Sequence, residues 1–236
     1  MINKNIVFPF YDNNKVVNNS LCLIKGSYKQ LTNEDLLALH HQELAYSQKF
    51  DYTIPKQSYL LGRLSAKKAL KQYFPSLPSN EVLIYPGVLG QPLIRSIKPI
   101  NMEVTISHLP NAGVALVFDN KYPMGIDIEL INTEHTDAMK QLVSVSELSK
   151  LNQMLPYEEE VFTITSIWTM KEAISKVLKC GLTVPFPILE ISSFNLYYSY
   201  IACEFTNFLQ YRGISWQEDQ YCVGLVYPKQ LYLKYD

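Results

Sequence analysis

The chain has 236 residues, 47% hydrophobic and 18% charged, with a formal net charge of -1. That length allows one large domain or two small ones with real cores, and that balance excludes a disordered chain. A near-neutral chain also lacks the net basic surface that general nucleic-acid binding needs, so no nucleic-acid partner is expected.

The first eleven residues hold only a short apolar run, Ile6-Val7-Phe8, broken by Pro9. It is too short for a signal peptide or a membrane span, so a cytoplasmic protein with no membrane partner is expected. A polar turn at residues 13–19 precedes a strand at 20–25. Residues 32–50 read as one helix, capped by Thr32 and favoured by Glu34 and Asp35 in its first turn. A second helix runs from Pro55 to Tyr73, with Leu60, Leu61, Leu64, Ala66, Ala69 and Leu70 as its apolar stripe. Arg63, Lys67, Lys68 and Lys71 decorate the remainder, and Lys67 and Lys68 are read as a solvated face. A strand at 83–85 enters the turn Pro86-Gly87-Val88-Leu89-Gly90-Gln91-Pro92, a hairpin turn rather than a phosphate loop.

Strands at 104–107 and 113–119 flank the turn Leu109-Pro110-Asn111, and a further strand covers 124–130. Ser144 and Glu147 stand at capping-box spacing and open a helix to about Leu155. Residues 161–180 form the strongest helix, with Gly181 as its stop. Strands follow around 188–191, 197–205 and 221–227. Cys22, Cys180, Cys203 and Cys222 form no C-x-x-C pair, and no histidine cluster accompanies them, so neither zinc nor a disulfide framework is expected. The irregular alternation indicates an α+β fold in two similar halves, residues 1–121 and 122–236.

The segment Gly125-Ile126-Asp127-Ile128-Glu129 carries the chemistry. Strand side chains alternate, so Asp127 and Glu129 share a face while Ile126, Ile128 and Leu130 point the other way. Two adjacent carboxylates raise each other's pKa unless a positive charge sits between them, and a hard cation such as Mg²⁺ suits oxygen ligands of this kind. The alternative is a solvent-facing edge strand with two harmless acids. On the strong helix, Ile167, Met170, Ile174, Val177 and Leu178 fall on one face, and Glu172 and Lys176 fall opposite, one turn apart. By itself that pair reads as an ordinary surface Glu–Lys pair at i,i+4 spacing.

Together, Gly125-Ile126-Asp127-Ile128-Glu129, Trp168-Thr169-Met170-Lys171-Glu172-Ala173-Ile174-Ser175-Lys176 and Gly181-Leu182 resemble the surfactin-synthetase-type (Sfp-type) 4'-phosphopantetheinyl transferases. Their pattern is G-I-D-I-E, then, some forty residues on, W-S/T-x-K-E-A/S-x-x-K and G-L. Leu60-Leu61-Gly62-Arg63, Ile106-Ser107-His108 and Val143-Ser144-Val145-Ser146-Glu147 resemble three further family segments. The resemblance runs from about residue 56 to 182.

It implies a pseudo-dimer of two similar halves, each a small mainly antiparallel sheet packed with a long helix, with coenzyme A bound between them. It implies transfer of 4'-phosphopantetheine from coenzyme A to a serine of an apo acyl or peptidyl carrier protein, releasing 3',5'-ADP. Asp127, Glu129 and Glu172 would hold Mg²⁺, or Mn²⁺ in its place. Glu172 would take the serine proton, and Lys176 would meet the departing phosphate. Lys171, Ser107, His108 and Arg63 would contact coenzyme A phosphates. The chain departs from the family at Gln91, where many members have lysine. It departs again at residues 56–58, where Lys56 stands in for an arginine one turn displaced. Those departures motivate an alternative, a catalytically weakened relative that binds coenzyme A or carrier without transfer. The two-in-one architecture implies a monomer.

Overall fold

Continuous apolar runs, rather than alternating ones, mark the central strands. Leu21-Cys22-Leu23-Ile24 and Val114-Ala115-Leu116-Val117-Phe118 are buried throughout, as expected of strands with no solvent face. The computed structural model describes residues 1–154 and 159–233. Backbone contacts divide it into two units, Met1–Pro123 joined by the segment from Leu231, and Met124–Gln230.

The first unit comprises β1 (Ile2–Ile6), β2 (Phe10–Asp12), β3 (Lys15–Val16), β4 (Asn19–Lys25), α1 (Asn33–Leu37), α2 (His41–Ser47), α3 (Thr53–Tyr73), β5 (Leu83–Pro86), β6 (Pro92–Arg95), β7 (Met102–Leu109) and β8 (Ala112–Asp119). Its main sheet has the order β1-β4-β8-β7, antiparallel throughout. The 21-residue α3 lies on that sheet, and Leu60, Leu61, Leu64 and Leu70 pack with Ile24, Ala115 and Val117. β5 and β6 form the hairpin expected around Gly87 and Gly90, closed by the Gly87 N–H on the Gln91 carbonyl at 2.7 Å.

The second unit comprises β9 (Gly125–Leu130), α4 (Thr133–Lys140), α5 (Val145–Asn152), α6 (Glu160–Val177), β10 (Ile191–Leu196), β11 (Ile201–Phe205), β12 (Tyr211–Glu218) and β13 (Tyr221–Pro228). Its antiparallel sheet has the order β10-β11-β12-β13-β9, and α6 packs on it through Ile167, Met170, Ala173 and Ile174. The chain then returns to the first unit as β14 (Tyr232–Leu233), which pairs with β2. Each unit is therefore α+β, one long helix on an antiparallel sheet. Among the described residues no helix is long and apolar enough to cross a membrane.

Several boundaries differ from the sequence reading, each for a local reason. Residues 32–50 form two helices, because His40 adopts extended backbone and starts α2 as its N-cap. Its N–H donates to the Glu43 carboxylate at 2.9 Å, while its Nδ1 accepts from the Gln42 N–H. Lys67 is not solvated: it is 2% exposed and paired with Glu43 at 3.0 Å. Burial lowers its pKa, and the Glu43 charge opposes that shift. Ser144 and Glu147 make the expected capping box, and α5 ends at Asn152; the expected terminus near Leu155 lies outside the described residues.

The long helix ends before Gly181. Lys179 takes the left-handed conformation (φ 55°), the Cys180 N–H bonds the Ser175 carbonyl and the Lys179 N–H bonds the Lys176 carbonyl. That is a Schellman end with lysine in the place glycine usually fills. Residues 186–189 form a 3₁₀ turn rather than strand, since Pro185 and Pro187 fix φ and remove donors. Residues 197–200 close the β10–β11 hairpin through the Tyr197 N–H on the Tyr200 carbonyl. β1, β2, β3, α4, β12 and β14 have no counterpart in the sequence reading, and β3 falls within the stretch read as a polar turn.

Candidate functional site

Glycine sets how β9 meets α6. A Cβ on Gly125 would stand 2.0 Å from the Ala173 carbonyl oxygen, so only glycine permits this crossing. On the neighbouring β13, a Cβ at Gly224 would stand 2.8 Å from the Thr169 backbone. Because side chains alternate, the face of β9 that presents Gly125 to α6 also presents Asp127 and Glu129 to it. Ile126 and Ile128 are buried on the other face. The two acids are not a solvated edge: Asp127 is 3% exposed and Glu129 half-buried. Substituting Gly125 by alanine is expected to force the strand from the helix. The loss should be about 1–3 kcal/mol, typical of overpacking, read as a lower midpoint in denaturant melts.

Three side chains of α6 meet those acids. The Lys176 ammonium donates to Asp127 Oδ1 at 2.7 Å and to the Ile126 carbonyl at 3.0 Å. The Trp168 indole N–H donates to Glu129 Oε1 at 3.0 Å, while its ring stacks on Phe186. Trp168 is thus core residue and site wall together. Glu172, half-buried on α6, lies within the field of Asp127. Burial first, then the Asp127 charge, push the Glu172 carboxyl up to about 7, against the pull of Lys176. Glu129 also rises to about 7, through burial and the charges of Asp127 and Glu172, opposed by the Trp168 hydrogen bond and Lys176. A group of carboxylates that resist ionising together is the electrostatic signature of a site awaiting positive charge.

The donor chemistry fits a hard divalent cation, whose ligands are carboxylate oxygens, substrate phosphate and water. The arrangement is not a closed cage. Among the described residues no three His, Cys, Asp or Glu side chains already stand as a metal cluster, and one Asp127 oxygen is turned to Lys176.

The remaining residues singled out in the sequence are distributed differently. Lys171 is 1% exposed and paired with Glu147 at 2.8 Å, with a further bond to the Leu142 carbonyl at 3.3 Å. Its ammonium is thus engaged inside the protein, by a carboxylate and a carbonyl. In the first unit, His108 is exposed on β7 with its Nδ1 2.7 Å from the Ser58 hydroxyl of α3. It lies against Gly62, where a Cβ would approach its ring to 2.8 Å. Ser107, its strand neighbour, faces the opposite side. Arg63 lies over the Tyr59 ring at 4.7 Å, and its Nε is buried without a hydrogen-bond partner among the described residues. Lys56 donates to Gln48 at 3.0 Å. Gln91 folds back on its own turn, accepting from the Leu89 N–H at 3.0 Å.

Two partners escape sequence reading. Glu147 reads as a helix cap within a family-like segment, and only its full hydrogen-bond set shows that it also holds Lys171. Ser58 carries no signal beyond its place one helical turn before Gly62, and it meets His108 across a separation of 50 residues.

Residues 123–226 match a family model, ACPS, described as the 4'-phosphopantetheinyl transferase superfamily. The matched stretch contains Asp127, Glu129, Trp168, Glu172 and Lys176 and coincides closely with the second unit. No curated protein matches the chain.

Proposed function

We propose that the protein is a divalent-metal-dependent 4'-phosphopantetheinyl transferase of the surfactin-synthetase type, acting on coenzyme A and an apo acyl or peptidyl carrier protein. The single observation that carries the reading is the acid group on β9 and α6, repelling internally and answered by Lys176, inside the segment that matches the superfamily.

Asp127, Glu129 and Glu172 would hold Mg²⁺ or Mn²⁺. When bound, the ion supplies Lewis-acid neutralisation of the pyrophosphate and a template for it. The protein's own residues do the remainder. Glu172, with a pKa raised towards neutrality, is suited to accept the carrier serine's proton. The serine oxygen forms a bond to phosphorus as the pyrophosphate bridge breaks, and 3',5'-ADP leaves. Lys176, released from Asp127, neutralises the phosphate that departs. Trp168 holds Glu129 in orientation. His108, Arg63 and Ser107 remain the proposed contacts for coenzyme A phosphates, and the protein is proposed to act as a cytoplasmic monomer.

The decisive assay supplies coenzyme A and Mg²⁺ to a panel of apo acyl and peptidyl carrier proteins and weighs the products. A mass gain of one phosphopantetheine on at least one carrier is expected; no gain on any of them counts against the reading. Specific observations also favour a second reading, in which the protein binds coenzyme A or carrier without turnover. Gln91 is neutral and folds back on its own turn, and Lys171 is occupied by Glu147, so neither position presents an unengaged cation for a phosphate. Calorimetric binding of coenzyme A without any mass gain would support it.

The site also predicts how metal and pH act on stability. Glu129 and Glu172 have folded pKa values near 7, above their ordinary 4.5. Between those values the folded state holds more protons than the unfolded one, so metal-free stability falls as pH rises through that window. A bound cation offsets the repulsion that ionisation creates. The rise in melting temperature on adding Mg²⁺ is therefore expected to be larger at pH 8 than at pH 5.5. An equal rise at both values, by differential scanning fluorimetry, would contradict this.

A further inference from the structure

The two units contain the same buried device. In the first, Lys67 of α3 pairs at 3.0 Å with Glu43, whose carboxylate accepts from the N–H of the α2 N-cap, His40, at 2.9 Å and from the Ile84 N–H of β5 at 2.8 Å. In the second, Lys171 of α6 pairs at 2.8 Å with Glu147, whose carboxylate accepts from the N–H of the α5 N-cap, Ser144, at 2.7 Å and from the Ile191 N–H of β10 at 2.8 Å. Each lysine also donates to backbone carbonyls, Lys67 to Ser79 and Val82, and Lys171 to Leu142. All four charged side chains are at most 2% exposed. The same spacing in sequence separates N-cap, glutamate and lysine in both units, so the device is one local design used twice.

A single carboxylate thereby joins three elements: the start of a short helix, the start of a strand and the flank of the long helix. Such a junction fixes the rotation of the long helix about its axis, because the lysine cannot turn without leaving a charge buried and unpaired. In the first unit the residue after the lysine is Lys68, which pairs with Asp35 at 3.3 Å near the surface. In the second it is Glu172.

We propose that Glu147 and Lys171 are positioning residues for Glu172, setting the helix rotation that aims its carboxyl towards Asp127 and Glu129, while Glu43 and Lys67 perform only the structural half of the task. The proposal rests on the transferase reading of the acid site, and it assigns Lys171 a role inside the protein instead of on the ligand. Neighbours that orient a metal ligand typically change affinity or activity by about 10–100-fold when removed.

The internal duplicate supplies the control. The double variant Glu147→Gln/Lys171→Met and the double variant Glu43→Gln/Lys67→Met each remove one buried pair without stranding a charge. Both are compared with the unaltered protein, folded by circular dichroism, for Mn²⁺ binding by calorimetry and for transfer to an apo carrier. The expected result is that the second-unit variant loses about 10-fold or more in Mn²⁺ affinity and in kcat, with KM for coenzyme A little changed. The first-unit variant should keep both Mn²⁺ affinity and kcat despite a comparable drop in melting temperature. If both variants lose affinity and kcat in proportion to stability, or neither does, the positioning role is overturned. Unaltered protein that neither binds Mn²⁺ nor transfers would instead overturn the reading of the acid site itself.

Discussion

Replacing Glu172 by glutamine is expected to cut phosphopantetheine transfer by about 100-fold or more without weakening the fold. The size follows from what general base catalysis supplies, about 10²–10⁴-fold, to which the loss of an oxygen from the proposed metal site would add. The absence of a stability cost follows from the electrostatics. Glu172 is held near neutrality by burial and by Asp127, so its charged form is a burden on the metal-free protein at pH 8. Glutamine keeps the shape and removes that charge. The metal-free variant should therefore melt at or above the temperature of the unaltered protein at pH 8, and its melting temperature should respond less to Mg²⁺. Transfer is read as the mass of the carrier product, and stability by calorimetry with and without Mg²⁺. A variant that transfers normally would remove Glu172 from the chemistry. A variant that fails to transfer because it no longer folds would show that the side chain is structural.

The second large effect is expected far from the acids, at Lys67. Replacement by methionine keeps most of the aliphatic stem but strands the Glu43 carboxylate, which has no exposed side-chain surface. Breaking one partner of a buried pair costs about 3–5 kcal/mol, whereas a lysine on a solvated helix face would cost less than about 0.5 kcal/mol. Equilibrium urea melts distinguish these values easily. Adding Glu43→Gln to Lys67→Met should recover much of the loss, since the stranded charge is gone and a side-chain oxygen remains to accept from Ile84. A single variant as stable as the unaltered protein would return Lys67 to the surface role that its sequence neighbours suggest.

The sequence by itself determined the local features that depend on near neighbours. The apolar stripe of α3, the cap at Thr32, the capping box at Ser144, the hairpin at Gly87 to Gln91 and the shared face of Asp127 and Glu129 all follow from spacing of a few residues. The acid strand and the helix with Glu172 and Lys176 were also legible, because motif pairing carries information that neither segment holds alone. Tertiary structure decided what each charge faces. Lys67 and Lys68 are adjacent on one helix, yet one is sealed against Glu43 and the other reaches Asp35 near the surface. Lys171 and Glu172 are adjacent on another, yet one serves the interior and the other the site. A step of one residue turns a helix by about 100°, so the partner of each side chain depends on the rotation at which the helix docks. That rotation is fixed by glycines that admit close approach at Gly125 and by carboxylates that reach across elements, and neither can be read from the helix's own sequence.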